Sequence, residues 1–229
     1  MSVRTALAVA AAAFLVLPPA GSAQAVILDE GSFRLSVRGA PTGTETFSIR
    51  QTGSGTGATV VAQGRITLDT GYQTRALLQV DGTGHRPSTY QVESTGPERV
   101  TVRGQLTGNR FRAQVISPTG ESMREYLVGE RAVVVDDDVT HHHHFVVAAR
   151  DGVATPVIVP RLYRQVTATV REVGRENIDV AGQRVSARRI SFEANGMARR
   201  TLWVDDQGKL LRLSIPETGF LAERLALPD

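Results

Sequence analysis

The chain has 229 residues, a formal net charge of +3 and no cysteine. That length can bury one sizeable core, while a weak charge with no Lys/Arg cluster argues against a nucleic-acid partner. Disulfides are excluded outright.

Taken in chain order, residues 1–25 read as a secretory signal peptide. Arg4 supplies the positive start and residues 6–17 form an unbroken apolar run. Pro18 and Pro19 end that run, and Ala23-Gln24-Ala25 offers a small-x-small cut site. The apolar run is too short to span a bilayer. The expectation is an exported chain, periplasmic or extracellular, cleaved after Ala25, with a single β-rich domain over 26–229. No lipid-anchoring cysteine stands near residue 21. No later apolar run approaches the roughly 20 residues of a spanning helix, so no transmembrane segment is expected in the mature chain.

The rest reads as strands and turns. Phe33, Leu35 and Val37 alternate with Ser32, Arg34, Ser36 and Arg38, and Phe47 and Ile49 resume the alternation after a turn at Ala40-Pro41-Thr42-Gly43. That pattern is a hairpin with one buried face. Gly53, Gly55 and Gly57 mark a flexible connection, since no lysine or helix follows as a phosphate loop requires. Strands follow at 60–68, 72–80, 88–93, 99–106, 109–116, 123–128 and 132–135. After Pro156 come 165–172, a tight turn at Gly174, then 178–180, 185–193, 198–204 and 210–215, where the sheet is expected to end. Strands every ten residues or so with short polar turns are an all-β signature. Residues 138–150 break the rhythm, and a short helix crossing one end of the sheet is expected near 139–149.

One cluster stands out: Asp136-Asp137-Asp138-Val139-Thr140-His141-His142-His143-His144, which holds four of the five histidines. Imidazole and carboxylate are ligands for zinc, copper or nickel. His141, His142, His143 and His144 with Asp137 are therefore candidate metal ligands. The alternative is a polar stretch at a strand-to-helix junction. No Gly-x-Ser-x-Gly elbow is present, and His85 in a Gly-rich turn is a poor base. An enzyme is not expected, and no cofactor is implied.

The string Trp203-Val204-Asp205-Asp206-Gln207-Gly208 through Pro216 is similar to the closing hairpin of exported bacterial proteins with the Lol-type half-barrel fold. That is the fold of the periplasmic lipoprotein carrier and its outer-membrane acceptor. Val135-Asp136 leading through His141 to Phe145, then Val159-Pro160, resembles domain-of-unknown-function families within it. The resemblance implies one long, curved antiparallel sheet forming a half-barrel, whose concave apolar face is covered by a few helices or loops and takes acyl chains in the better-known members. This chain departs in having four histidines where aromatics are common, and no family residue roles carry over.

Two functions follow as expectations. The first is a non-enzymatic binding or carrier protein of the bacterial envelope for an apolar or amphiphilic, lipid-like ligand, with Phe33, Leu35, Phe47, Leu77, Tyr90, Phe111, Tyr126 and Trp203 on the apolar face. The second is a periplasmic metal-binding protein using the 136–144 cluster. An envelope assembly factor that binds a partner protein is a further alternative.

Overall fold

The computed structural model describes residues 25–82, 85–97, 99–148 and 152–228. The signal-peptide reading falls on 1–24, outside the described residues. Fifteen strands and one short helix follow: β1 Val26–Val37, β2 Ala40–Thr52, β3 Thr59–Leu68, β4 Gln73–Asp81, β5 Pro87–Ser94, β6 Thr101–Thr107, β7 Arg110–Ser117, β8 Gly120–Leu127, β9 Val133–Val134, α1 His143–Val147, β10 Ala154–Val159, β11 Arg164–Val180, β12 Gln183–Ala194, β13 Arg200–Val204, β14 Leu210–Ile215 and β15 Phe220–Arg224.

All fifteen strands belong to one curved, unclosed sheet, in the order β8-β7-β6-β5-β4-β3-β2-β1-β15-β14-β13-β12-β11-β10-β9. Neighbours are antiparallel except β9 and β10, which run parallel. The concave face carries the core. Phe33, Ile49, Ala62, Leu78, Tyr90, Val92, Val102 and Phe111 on successive strands, with Phe192, Leu202 and Leu213 from the other half, are buried together. The intervening residues on these strands face away, as the period of two requires.

Side chains of β9 and β10 are buried without alternation: Val133, Val134, Val157, Ile158 and Val159 are all buried. That end of the sheet is tucked inside, with β9 against β5. The other edge, β8, meets β11 and its approach through side chains. Gln165 Nε2 donates to the Leu127 carbonyl at 2.7 Å, and the Ser122 hydroxyl bonds Tyr163 at 2.6 Å.

Several expectations are corrected. The first hairpin turns at Arg38-Gly39, not at 40–43. Both residues have positive φ (52° and 81°) and Val37 pairs with Ala40, the two-residue turn that matches strand twist. The sheet does not end at 215: β15 follows and pairs with β1 as well as β14. Gly174 is not a turn. β11 runs through it, and a bulge between Glu172 and Gly174 shifts the register with β12. One extra residue exchanges the two faces. Ala168 and Val170 therefore face the main core, whereas Ile178 and Val180 join Ala187 and Leu211 in a second small cluster, with Val185, Trp203 and Leu227 packed on it.

Candidate functional site

The concave face is covered by the stretch that broke the strand rhythm. Thr140–His142 makes a 3₁₀ turn and α1 continues from it, so the expected short helix is present. Val139, Phe145 and Val146 are buried in the main core. The histidines are buried too: His141, His142 and His143 are essentially inaccessible, and His144 is half-buried.

What draws polar rings inside is Glu45 on β2, wholly buried between Gly43 and Phe47 on the inward face. Its Oε2 accepts the Thr140 backbone N–H at 2.8 Å, and its Oε1 accepts the His141 backbone N–H at 2.9 Å. Oε1 also lies 2.6 Å from His141 Nδ1. A strand carboxylate thus caps the first N–H groups of the turn, work usually done by a neighbouring residue. Nδ1–H donates to the carboxylate, which fixes the orientation of the ring.

Gly64 on β3 makes room for that ring. A Cβ there would stand 2.5 Å from His141 Cε1 and 2.7 Å from Nδ1. Gly64→Ala is therefore expected to lose about 1–3 kcal/mol through overpacking. In thermal melts the double variant Gly64→Ala/His141→Ala is expected to lose less than the sum of the single changes. Additive losses would show that the two positions do not meet.

The rings form a column across the interior. Phe33 stacks on Phe47 at 5.2 Å, Phe47 on His141 at 5.9 Å, His141 meets His142 edge-on at 4.6 Å, and His142 meets Tyr90 at 5.6 Å. At one end the Arg224 guanidinium lies 5.2 Å from the Phe47 ring and binds Asp29 at 2.5 Å.

Burial holds His142, His143 and His144 neutral. It pushes His142 well below the usual imidazole value, with His141 and His143 adding to the shift. Burial and the Arg200 charge bring His143 to about 3. Burial and His85 bring His144 to about 4. Several of the histidine nitrogens have no hydrogen-bond partner among the described residues: Nε2 of His141, both nitrogens of His142, Nε2 of His143 and Nδ1 of His144. The hydroxyls of Tyr90, Tyr126 and Thr140 share that condition.

The three aspartates are held by arginines. Arg161 reaches Asp136 at 3.0 Å and Asp138 at 3.0 Å, and Asp137 pairs with the buried Arg200. Burial raises Asp136 to about 6 despite Arg161. The run is thus an anchor for the covering segment, and Asp137 points to Arg200 rather than to the histidines. Among the described residues no three His, Asp or Glu side chains converge as a metal-ligand set.

Of the residues expected on the apolar face, Phe33, Leu35, Phe47, Tyr90, Phe111 and Tyr126 lie in the concave core. Trp203 does not: it sits between the inward Leu202 and Val204 and packs on the second cluster. Leu77 likewise lies between Ala76 and Leu78 and lines a groove on the outer face. Sequence reasoning passed over Glu45, Gly64, Arg161 and Arg200. Glu45 carried a usable signal, since it shares the parity of Phe47 and Ile49.

No protein-family model matches the sequence, nor does any curated protein. Among solved structures the chain is similar to a β-barrel-like protein of the domain of unknown function DUF1849 from Brucella abortus. The TM-score is 0.52 at 13% identity, covering 90% of this chain and 98% of that one. This is a likeness of fold. It places the chain with an uncharacterised β-barrel-like architecture, while the narrower Lol-type likeness rests on the sequence motifs above.

Proposed function

We propose that the protein is an exported, non-enzymatic binding or carrier protein of the bacterial envelope, taking an apolar or amphiphilic, lipid-like molecule on its concave face. The ligand occupies the space of residues 139–147 when that segment swings away. The observation that carries this reading is the polarity of the cover. A largely apolar concave face, whose buried charges include Glu45, Arg200 and the Arg224–Asp29 pair, is closed by a short segment that buries three histidines with unpartnered nitrogens. Each such group costs about 1–3 kcal/mol. The cover is therefore the least favourable part of the core, and exchanging it for an acyl chain removes that cost while keeping the apolar wall buried. Glu45, released from the backbone N–H groups of Thr140 and His141, would meet the polar end of an amphiphile.

The test is native mass spectrometry of protein purified from its envelope, followed by titration with a fluorescent long-chain fatty acid. A one-to-one adduct of lipid mass, or saturable uptake of the probe, is expected. A bare chain that takes up no probe overturns the proposal, and a metal adduct in place of lipid moves the function to the histidines. His142→Leu adds a second check. It removes two unpartnered nitrogens and is expected to stabilise the fold by about 1–2 kcal/mol while weakening probe uptake. A more stable variant with unchanged uptake would show that cover and ligand do not compete.

A further inference from the structure

On the face away from the core, β2–β5 form a groove of about 520 Å³. Strand register arranges its outward side chains in two rows. Thr46, Arg65, Arg75 and Glu93 lie opposite one another in the first, and Ser48, Gln63, Leu77 and Gln91 in the second. Arg103 continues the second row on β6.

Arg65 and Arg75 stand directly opposite on adjacent strands. Like charges in that relation repel and weaken the pair of strands. Several other exposed arginines of the sheet are matched, Arg112 with Glu125, Arg175 with Asp206 and Arg189 with Glu176, whereas Arg65 and Arg75 face each other. Neither groove arginine has a carboxylate within ion-pair reach among the described residues, although Glu93 is the cross-strand neighbour of Arg75. A rigid strand pair thus holds two unneutralised guanidinium forks side by side. Amide groups of Gln63 and Gln91 and the Thr46 hydroxyl flank them, and Leu77 adds an apolar side.

From this geometry we infer that the outer groove binds a phosphate group, with Arg65 and Arg75 as its paired donors. Guanidinium forks match the oxygens of a phosphate two by two, and strand backbones fix their spacing. Glu93 limits the groove to an excess of one positive charge, which suits a phosphate mono- or diester rather than a polyanion. Leu77 accommodates a small apolar part beside the phosphate. This site is on the opposite face from the proposed lipid site and does not depend on it.

The test is calorimetric titration of the protein with inorganic phosphate and, separately, co-sedimentation with phosphatidylcholine vesicles with and without phosphatidylglycerol. Binding of free phosphate assigns the site to a soluble phosphate compound. Binding only to the phosphatidylglycerol vesicles assigns it to a phospholipid headgroup. Either supports the inference, provided that Arg65→Gln/Arg75→Gln weakens binding at least tenfold. The control Arg171→Gln, an exposed arginine on β11, is expected to leave binding unchanged. Because both groove arginines are exposed and repel each other, the double variant is expected to melt no lower than wild type. No binding to millimolar phosphate or to either vesicle overturns the inference. So does binding that persists in the double variant, or that falls equally in the control.

Discussion

Replacing Glu45 with alanine is expected to cost the fold about 3–5 kcal/mol, the range for breaking a buried charged hydrogen-bond network from one side. Three donors lose their acceptor at once: the backbone N–H groups of Thr140 and His141 and the His141 Nδ1–H. None can turn to solvent, because Thr140 and His141 are buried. The loss is local in origin, so the covering segment is expected to open before the sheet does. Hydrogen exchange should accelerate first at 139–147, with urea unfolding shifted to lower denaturant. Glu45→Gln keeps the shape and distinguishes packing from charge. With its carbonyl in the Oε1 position it accepts both His141 donors, but its NH₂ group then faces the Thr140 N–H, so it is expected to fall between wild type and alanine. A Glu45→Ala protein with unchanged exchange at 139–147 would show that the carboxylate does not hold the cover.

How much of this was legible in the sequence depends on what each residue answers to. The alternation at Phe33, Leu35, Phe47 and Ile49 is a local signal, and the strands it predicts are present with small shifts of their ends. β10 was missed because Val157, Ile158 and Val159 are buried together and show no alternation, as expected for a strand covered on both faces. β15 was missed because it is short and its place is set by a distant partner: Arg224 is drawn inside by Asp29, 195 positions away. The histidines illustrate the same limit more sharply. Four consecutive imidazoles read as exposed or metal-binding when only their own composition is considered. Their burial follows from Glu45 on β2 and the missing side chain of Gly64 on β3, which the fold brings together from about 80 to 100 positions away. Trp203 and Leu77 were placed on the wrong face for a related reason. An apolar residue in a strand announces burial, not which side is buried, and only the parity of Leu202, Val204, Ala76 and Leu78 decides it.

Acidification is expected to destabilise the protein between pH 7.5 and 5, and the buried histidines set the direction. His142 and His143 are lowered by burial, so between 6.5 and their folded values the unfolded chain binds protons that the folded chain does not. Stability is therefore full above the unfolded value of 6.5 and is lost as pH falls below it. At pH 5 His143 and His144, brought to about 3 and about 4, each contribute a loss of about 2 kcal/mol, at about 1.4 kcal/mol per pH unit. His142 acts in the same direction. Two carboxylates oppose the trend. Asp136, raised to about 6 from 3.8, takes up its proton in the folded state first and returns about 1.4 kcal/mol by pH 5. Asp29, raised by burial against the opposing pull of Arg224, acts likewise. The histidines prevail because His143 and His144 together outweigh Asp136 over that interval, leaving a net loss of about 3 kcal/mol before His142 adds to it and Asp29 opposes it. For a domain of this size that corresponds to a fall in Tm of roughly 5–10 °C. Thermal melts in matched buffers at pH 7.5, 6 and 5 measure it. His142→Leu is expected to flatten the profile by removing one of the buried rings, and Asp136→Asn to steepen it by removing an opposing carboxylate. A wild-type profile that is flat from 7.5 to 5 would mean that the histidines are not held neutral inside. If the same acidification also raises uptake of the fatty-acid probe, the charging of the cover and the opening of the concave face are one event.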